Sequence, residues 1–493
     1  MKHRREATEV AEATEIAGSG GLGGVASRAL SWSFVNTAVS RFGTLAIGIV
    51  LARVLGPVQF GTFAVATVAL VAVLSFNELG VSLAIVRWQG DPKEIAATVT
   101  TISVVASALL TVGGYLAAPS FASAMGDPSA TDVVRLMMVC ILINGLVATP
   151  AALLQREFRQ GQRMVIDQVN VWVGAILSLF LALTGMGAMS LAVGRVTGTV
   201  LAAVLFIIYS PLPLRFGFDR SKARRLLKFG LPLAGSSIIV FAVGYADQLT
   251  AGAMLGATAL GYYVLAFNLA SWPVSMFSQP LRSVAPAAFS RLQHDRAAMT
   301  GSLRSIIGLL AAVTIPVCLL LAGAAEPIID FVYGEAWAPA APVLTWLAIL
   351  AAFRIFFELA YDYLVVLGRS GMIFTVQVVW LIVLIPGLIL GASLYGLPGL
   401  AAVQLLIAAI VVVPFYLWEF HKSGLSVGTV GKRALIPGLG GIVVGLAAAV
   451  ISAVVGSPFV ACLMSGIVCM GAVVGLLYRD RAELRSVRGL GAT

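Results

Sequence analysis

The sequence predicts an all-α polytopic membrane protein with about fourteen transmembrane helices. The composition is 59% hydrophobic and only 11% charged, and the mean hydropathy is +0.98. Apolar stretches recur along the chain, and most of the 32 Lys and Arg residues fall in every second gap between them. A bilayer core needs roughly 20 apolar residues per helix, and basic residues stay on the cytoplasmic side. The pattern therefore predicts both the spans and their orientation.

The predicted spans are long enough to cross a bilayer, and their ends are uncertain by a few residues. They lie near residues 30–53, 59–86, 97–118, 133–154, 165–184, 188–209, 228–254, 259–290, 300–324, 341–367, 372–392, 397–419, 433–454 and 459–478.

The charge pattern fixes the parity of the helix count. Basic residues occupy both tails and the even-numbered gaps, whereas Arg53 and Arg135 are the exceptions at helix margins in odd-numbered gaps. Both termini are therefore predicted to be cytoplasmic, and an even number of helices is favoured. The longest odd-numbered gaps carry acidic residues instead, namely Asp127, Asp132, Glu326, Asp330 and Glu335.

The short gaps argue against an enzyme or a primary pump. No gap exceeds about twenty residues, which leaves no room for a nucleotide-binding domain. No cofactor or metal is expected, because the histidines lie in tails or cytoplasmic gaps and the cysteines lie inside apolar stretches, where packing is their expected role. These residues are His3, His294, His421, Cys140, Cys318, Cys462 and Cys469. The basic excess follows the lipid surface and indicates anionic membrane lipids rather than nucleic acid.

An internal duplication divides the chain. Residues 53–66 recur 200 positions later as residues 253–266, with Gly56 matching Gly256 and Gly61 matching Gly261. Weaker echoes pair Leu154–Arg156 with Leu367–Arg369 and Gly185 with Gly396. Six helices intervene each time, so the two halves are expected to have the same orientation about an axis along the membrane normal, with a cleft between them. A tandem packing module without alternating access is the other interpretation.

The repeat predicts a division of the chain into two six-helix lobes and an appended helix pair. The polar, Glu-rich N-terminal tail is predicted to be disordered. The predicted parts are a cytoplasmic tail at 1–27, an N-lobe at 28–225, a C-lobe at 226–422, appended helices at 423–480 and a basic cytoplasmic tail at 481–493.

Short glycine-rich motifs follow one another in a specific order. They are Ser31-Trp-Ser-Phe, Arg41, residues 51–63, Glu78-Leu-Gly, Ile85-Val-Arg, Phe229-Gly-Leu-Pro232, Asp247, Met254-Leu-Gly, Leu260-Gly-Tyr and residues 286–292. Over roughly residues 28–480 the chain resembles the bacterial polysaccharide and O-antigen repeat-unit flippases. These are the Wzx-like members of the multidrug/oligosaccharidyl-lipid/polysaccharide exporter superfamily.

The resemblance implies a two-lobed transporter in the bacterial inner membrane. The implied cargo is an undecaprenyl-diphosphate-linked oligosaccharide, flipped outward by alternating access for surface or exopolysaccharide biosynthesis. A proton or sodium gradient is the implied driving force, and polysaccharide polymerase or chain-length machinery are the implied partners.

Arginines inside predicted spans are candidate cargo contacts. A charge at mid-membrane is costly, so it usually faces a wet cavity or a partner. The planar guanidinium donates to phosphate oxygens in pairs and keeps its charge. Arg41 and Arg282 lead, followed by Arg354 and Arg195. For each, a buried ion pair that only fixes helix packing is the alternative.

Acidic residues inside predicted spans are candidates for ion coupling. Asp247 is slightly favoured because no basic residue is near it in sequence, and the others are Glu358, Glu78 and Asp362. Desolvation favours the neutral form of a carboxyl, so such a group can take up a proton or a sodium ion. Arg354, Glu358 and Asp362 share one helical face, and Arg354 and Glu358 alternatively neutralise each other.

Prolines in the seventh and eighth predicted helices are candidate hinges, because proline removes a backbone donor and kinks a helix. They are Pro232 near the start of the seventh helix and Pro273, Pro280 and Pro286 in the eighth.

Three rivals to the polysaccharide flippase remain open. A multidrug exporter is disfavoured by the fourteen spans and by intramembrane arginines, which repel cationic drugs. A flippase for the peptidoglycan lipid precursor shares the fold and the helix count. A membrane polymerase or ligase typically carries a large outer loop, which the predicted gaps do not contain.

Overall fold

The structure is a computed structural model that describes residues 22–77, 81–278, 296–368, 370–422, 427–479 and 481. Within these residues every regular element is a helix, which confirms the predicted all-α class. The N-terminal half contains α1 (Leu22–Asn77), α2 (Val81–Arg87), α3 (Lys93–Ala124), α4 (Thr131–Arg156), α5 (Gln160–Leu183) and α6 (Ala188–Tyr209).

The C-terminal half continues in the same style, with short 3₁₀ and π segments between some helices. It contains α7 (Arg220–Leu255), α8 (Ala257–Pro273), a π-helical turn (Val274–Ser278), α9 (Arg296–Gly323), α10 (Ala325–Tyr333), a 3₁₀ turn (Glu335–Ala340), α11 (Ala341–Val366), α12 (Ser370–Ile407), a π-helical turn (Ala408–Val412) and α13 (Val413–Lys422). Two further helices follow, α14 (Val427–Val454) and α15 (Pro458–Arg479).

The chain is a multi-pass membrane protein. Among the described residues, 11 helices are long and apolar enough to cross a membrane. Two of these candidates, Leu45–Phe76 and Thr375–Lys422, contain a non-helical glycine, at Gly56 and Gly396, and so merge two predicted spans each. The count of fourteen therefore stays a prediction.

The seventh predicted span begins earlier than the sequence indicated. The helix α7 starts at Arg220 rather than near residue 228, so Pro232 lies well inside it and not near its start. The cause is an N-cap: the Asp219 side chain accepts hydrogen bonds from the backbone N–H groups of Ser221 (2.9 Å) and Lys222 (3.2 Å). Hydrogen bonds from Ser221 and Lys222 lower the pKa of Asp219.

The two copies of the repeat have the same backbone geometry and pack against each other. Gly56 (φ 68°, ψ 173°) and Gly256 (φ 87°, ψ 171°) break their helices in the left-handed region that favours glycine. A Cβ on Gly61 would lie 2.3 Å from the Ala257 carbonyl oxygen, and one on Gly261 would lie 2.8 Å from the Pro57 carbonyl oxygen. The contact is reciprocal, so α1 and α8 cross at the two copies.

One of the weaker echoes is displaced by two residues. Gly396 (φ 61°, ψ −140°) matches Gly187 (φ 59°, ψ −140°), which precedes α6, rather than Gly185. Pairing by residue type alone selected the wrong glycine of a Gly-x-Gly turn.

Helix packing joins neighbours in the chain and also helices that are far apart in it. In the N-terminal half α3 packs on α4 and α5 packs on α6, and in the C-terminal half α11 packs on α9 and α12 while α7 packs on α12. The helix α1 joins the halves by packing on α7 and α8. The last pair, α14 and α15, packs against α9.

Candidate functional site between the two halves

A cavity of about 530 Å³ lies where α1 meets α8. Its walls are mostly apolar, and the polar groups that reach it come from α8 and from the π-helical turn that follows. They are Asn268, Trp272 and Ser275, and Tyr333 from the end of α10 also lines the cavity. Aromatic rings beside amide and hydroxyl groups suit a ligand with both apolar and hydrogen-bonding surface.

A buried carboxylate lies on the other face of α8. Asp247 of α7 is 5% exposed, and its Oδ2 accepts a hydrogen bond of 2.6 Å from the hydroxyl of Tyr263. Gln404 of α12 in turn donates from Nε2 to the Tyr263 oxygen at 2.5 Å. Three helices, α7, α8 and α12, are thereby joined by one chain of side-chain hydrogen bonds, and Tyr263 itself is 0% exposed.

Arg354 belongs to this cluster. Its guanidinium lies over the ring of Phe267, 5.1 Å from the centroid, and it attracts the Asp247 carboxylate electrostatically. Phe267 stacks on Tyr263 with a centroid separation of 6.3 Å. A cation, a carboxylate and two aromatic rings therefore form one unit on the face of α8 that is turned away from the cavity lining. We call it the Asp247 cluster: Asp247, Tyr263, Phe267, Arg354 and Gln404.

A second set of contacts joins the halves on the predicted outer side. Arg53 donates from Nε to the Val332 carbonyl oxygen at 2.7 Å and also bonds the Phe331 carbonyl oxygen. Trp337, which is 1% exposed, donates from Nε1 to the Ala52 carbonyl oxygen at 3.2 Å. We call Arg53, Trp337 and their carbonyl partners the outer bridge. Arg53 donates its hydrogen bonds to carbonyl oxygens in the last turn of α10, so its positive charge also lies at the negative end of that helix dipole.

Aromatic rings fill the space beneath the outer bridge. The rings of Phe60 and Tyr262 meet Trp337 edge to face, with centroid distances of 5.5 Å and 5.8 Å. Tyr262 also donates its hydroxyl to the Ala336 carbonyl oxygen at 3.2 Å. Phe60 and Tyr262 come from the two copies of the repeat, so this aromatic contact spans the crossing and closes the cavity on that side.

A family model described as "Polysaccharide biosynthesis protein" matches residues 50–342, which is more than half of the chain. The chain belongs to this polysaccharide biosynthesis protein family. The match covers the outer bridge, the cavity lining from Ala52 onward and, within the Asp247 cluster, Asp247, Tyr263 and Phe267.

Relatives of this family member include named transport and biosynthesis proteins. The succinoglycan biosynthesis transport protein ExoT of Rhizobium meliloti (strain 1021) is 26% identical over 330 residues, which cover 66% of this chain and 65% of ExoT. The lipopolysaccharide biosynthesis protein WzxC of Escherichia coli (strain K12) is 22% identical over 387 residues, which cover 78% of this chain and 79% of WzxC. The teichuronic acid biosynthesis protein TuaB of Bacillus subtilis (strain 168) is 22% identical over 332 residues.

Solved transporter structures share the fold of this polysaccharide biosynthesis family member. The lipid II flippase MurJ in an inward closed conformation superposes with a TM-score of 0.74 at 15% identity, covering 91% of this chain and all of that one. An inward-facing multidrug MATE transporter reaches 0.60 at 16% identity over 79% of this chain and 94% of its own. The predicted superfamily fold is thus confirmed.

The predicted cargo arginines lie in different places in this family member. Arg354 is part of the Asp247 cluster, whereas Arg195 is exposed on α6 and does not line the 530 Å³ cavity. Arg41 lies in the described backbone of α1, but its side chain is outside the described set, and Arg282 lies outside the described residues altogether. Their roles stay predictions.

Of the acidic residues predicted to couple transport to an ion, three are described by the structure and one is not. Asp247 is buried beside Arg354, so its isolation from basic residues, which holds in sequence, does not hold in space. Asp362 is 7% exposed on α11 and Glu358 lies one turn earlier, half-buried. Glu78 lies outside the described residues.

The predicted hinges are partly described. Pro273 is buried at the end of α8 and is followed directly by the π-helical turn, a rare geometry that often marks functional sites. Pro232 lies in the backbone of α7 with its side chain outside the described set, and Pro280 and Pro286 lie outside the described residues.

Several polar residues near these sites had escaped sequence reasoning. Tyr263 and Gln404 are neutral residues inside apolar stretches, where nothing in the sequence separates them from packing residues. A cavity of about 420 Å³ within the N-terminal half is lined by Asp167 and Arg163 of α5, and Arg163 donates to Gln155 Oε1 at 3.0 Å. The i, i+4 spacing of Arg163 and Asp167 would have placed both side chains on one helical face. The predicted span at 165–184 leaves Arg163 in the gap before it, whereas α5 begins at Gln160.

Proposed function

We propose that this protein is a secondary transporter that flips undecaprenyl-diphosphate-linked oligosaccharide repeat units across the bacterial inner membrane. The observation that carries the proposal is the Asp247 cluster on one face of α8, with a cavity on the other face at the crossing of two repeated segments. The names of ExoT, WzxC and TuaB, each concerned with polysaccharide biosynthesis or transport, support the cargo class. A transport role rather than catalysis is proposed for the cavity.

Alternating access follows from the way the halves touch. The cavity lies between α1 and α8, and the outer bridge closes it on the predicted outer side. Glycines at the crossing allow the helices to approach closely and to roll over each other without disengaging side chains. With both termini in the cytoplasm, as the Lys and Arg pattern predicts, the outer bridge faces the outside and the described state is closed toward it.

The Asp247 cluster supplies a route from an ion gradient to cargo handling. With Asp247 ionised, its carboxylate attracts Arg354 electrostatically, and the Arg354 guanidinium lies over the face of Phe267. A proton or a sodium ion on Asp247 removes the attraction, and Arg354 is then free to pair with a diphosphate oxygen. Tyr263 and Gln404 hold the carboxyl in place in either state. The Asp247 carboxylate and the cargo diphosphate thus compete for one guanidinium, so ion binding to Asp247 favours cargo binding.

Deletion of the gene is expected to cause accumulation of an undecaprenyl-diphosphate oligosaccharide, measured by mass spectrometry of polyprenyl-linked lipids in cells with and without the protein. The accumulated lipid gives the sugar composition of the cargo directly. A lipid that carries the peptidoglycan disaccharide peptide would instead identify a precursor flippase. Unchanged lipids together with heightened sensitivity to cationic dyes would contradict the proposal and favour a drug exporter.

Replacement of the leading cargo arginine provides a second test. Arg41→Ala is expected to abolish export, because a guanidinium at mid-membrane is proposed to hold the diphosphate, while the protein still inserts in the membrane. Surface polysaccharide and membrane-fraction protein are measured in parallel, with Arg135→Ala for comparison, because Arg135 is not among the candidate cargo contacts and its side chain pairs with Asp132. Normal surface polysaccharide in Arg41→Ala would exclude Arg41 as a contact of the cargo.

A further inference from the structure

Two arginines cross at the predicted inner ends of α2 and α7. The guanidinium of Arg87, the last residue of α2, lies over the ring of Phe229 of α7, 5.9 Å from its centroid. The guanidinium of Arg225 of α7 lies over the ring of Trp88, the residue after α2, at the same distance. The two contacts are therefore reciprocal: the arginine at the end of α2 meets a ring of α7, and the arginine of α7 meets the ring that follows α2. We call Arg87 and Arg225 the inner arginine pair.

The backbone of the turn after Arg87 accepts hydrogen bonds from two other basic side chains. Arg156 donates to the carbonyl oxygens of Ile85 and Trp88 at 2.6 Å each and to that of Gly90 at 3.1 Å. Lys222 of α7 donates from Nζ to the Glu94 carbonyl oxygen at 3.0 Å. These hydrogen bonds hold together the backbone segments that carry the inner arginine pair.

The inner arginine pair has hydrogen-bonding capacity to spare. Both residues are exposed, and among the described residues neither forms an ion pair within 4.0 Å. Each guanidinium lies near one aromatic ring, and its N–H groups, which can bind phosphate oxygens in pairs, form no hydrogen bond within the described part of the chain. Beside them, the buried Trp88 Nε1 has no hydrogen-bond partner in the described part of the chain.

Asp91, Glu94 and Asp219 are the acidic residues of these segments, and within the described residues none of them forms an ion pair with Arg87 or Arg225. Asp91 accepts from the backbone N–H of Lys93 at 2.9 Å, and Asp219 caps α7. Three more exposed basic residues, Arg220, Arg224 and Lys228, lie on the same first turns of α7. The surface therefore presents clustered donors and positive charge at the level where lipid headgroups lie.

We propose that the inner arginine pair binds the diphosphate of the lipid-linked cargo at the inner membrane surface, before the cargo enters the cavity. The inference rests on the proposed function and adds a receiving site to it. Two guanidiniums on fixed supports match two linked phosphates, each of which accepts a bidentate pair of hydrogen bonds. A phospholipid with a single phosphodiester engages only one of them.

The test compares two lipids on the full-length protein in neutral phosphatidylcholine nanodiscs. Undecaprenyl diphosphate and phosphatidylglycerol are titrated separately, and binding is measured by native mass spectrometry and by quenching of tryptophan fluorescence. The Arg87→Gln/Arg225→Gln variant is compared with Arg479→Gln/Arg481→Gln, which removes the same charge from the last basic segment. Thermal unfolding in the nanodisc checks that both variants are folded.

The expected result is an increase of at least about tenfold in the Kd of undecaprenyl diphosphate for the first variant only, since charge-assisted hydrogen bonds are roughly twice as strong as neutral ones. Phosphatidylglycerol binding is expected to change less than twofold. Equal losses for both lipids, or unchanged diphosphate binding by a folded variant, would overturn the site. Failure of the unsubstituted protein to bind undecaprenyl diphosphate at all would instead contradict the proposed function.

Discussion

Asp247→Asn is expected to lower export on the order of a hundredfold while leaving the protein folded in the membrane. A change of this size lies near the upper end of typical coupling energies between two sites. The amide keeps the shape of the side chain and still accepts the 2.6 Å hydrogen bond from Tyr263. It carries no charge and binds neither a proton nor a sodium ion in the relevant range. Arg354 is then permanently released from Asp247, and the ion gradient loses its point of action.

The measurement is flipping of a fluorescent undecaprenyl-diphosphate oligosaccharide in proteoliposomes with an imposed proton or sodium gradient. The unsubstituted protein is expected to accelerate when the gradient is applied, and Asp247→Asn is expected to be indifferent to it. Only one of the two ions should have an effect, which identifies the coupling ion. A gradient response retained in Asp247→Asn would exclude Asp247 from coupling and leave Glu358 and Asp362 as the candidates among described acids.

Two control variants separate charge from hydrogen bonding. Tyr263→Phe removes the donor to Asp247 and leaves the carboxylate, so a loss of only severalfold is expected, in line with about 1 kcal/mol for one hydrogen bond. Asp132→Asn removes an exposed carboxylate that faces only Arg135 at 3.4 Å, and it is expected to have no effect. A loss in Tyr263→Phe as large as that in Asp247→Asn would assign the cluster to packing rather than to coupling.

Opening of the outer bridge is expected to expose the cavity to the outside. Arg53→Ala removes the donor to the Val332 and Phe331 carbonyl oxygens, and Trp337→Ala additionally removes a fully buried side chain, at a cost of about 3–5 kcal/mol of stability. Both changes destabilise only the state in which the bridge is formed. The population should therefore shift toward the outward-open state.

Accessibility of the cavity measures this shift. A cysteine placed at Ser275, which lines the cavity, is labelled in whole cells with a membrane-impermeant maleimide in a background whose native cysteines are replaced by serine or alanine. Labelling is expected to increase severalfold in Arg53→Ala and further in Trp337→Ala, whereas Trp337→Phe, which keeps a ring but loses the hydrogen bond to Ala52, should be intermediate.

Arg135→Ala is the matched control for the outer bridge. Arg135 lies on the same predicted side and stacks on Tyr115 at 4.8 Å, but its described partners all belong to the N-terminal half. Its replacement removes the same charge without releasing the C-terminal half. Equal labelling in Arg135→Ala and Arg53→Ala would mean that surface charge, and not the bridge, controls access.

The periodic apolar stretches and the charge pattern were sufficient to predict a helical multi-pass protein, and the short motifs were sufficient to predict its family. They did not predict where α7 begins, because one capping side chain at Asp219 extends a helix beyond its apolar part. They left open whether Glu358 neutralises Arg354, and they did not predict that Arg354 lies near Asp247. The proximity of these two residues depends on how α7, α8 and α11 pack, which no local pattern contains.

The neutral members of the candidate site were beyond the reach of sequence reasoning for a different reason. A charge inside an apolar stretch is conspicuous because it is costly, whereas Tyr263 and Gln404 are tolerated there and become informative only once a partner is seen. Arg53 is the opposite case. It was visible as an exception to the charge pattern, and the structure supplies its reason, since a cation on that side ties two distant carbonyls to α1.

The reciprocal contact of Gly61 and Gly261 makes the chain, at that point, a two-fold dimer joined into one polypeptide. Each glycine faces the backbone beside the other, as equivalent residues do across an isologous interface. An ancestor of half the length would have formed this contact with a second copy of itself. The two halves, produced as separate polypeptides, are accordingly expected to associate through the same surface. A side chain added to the ancestral glycine would have created two steric clashes, one at each of the equivalent positions.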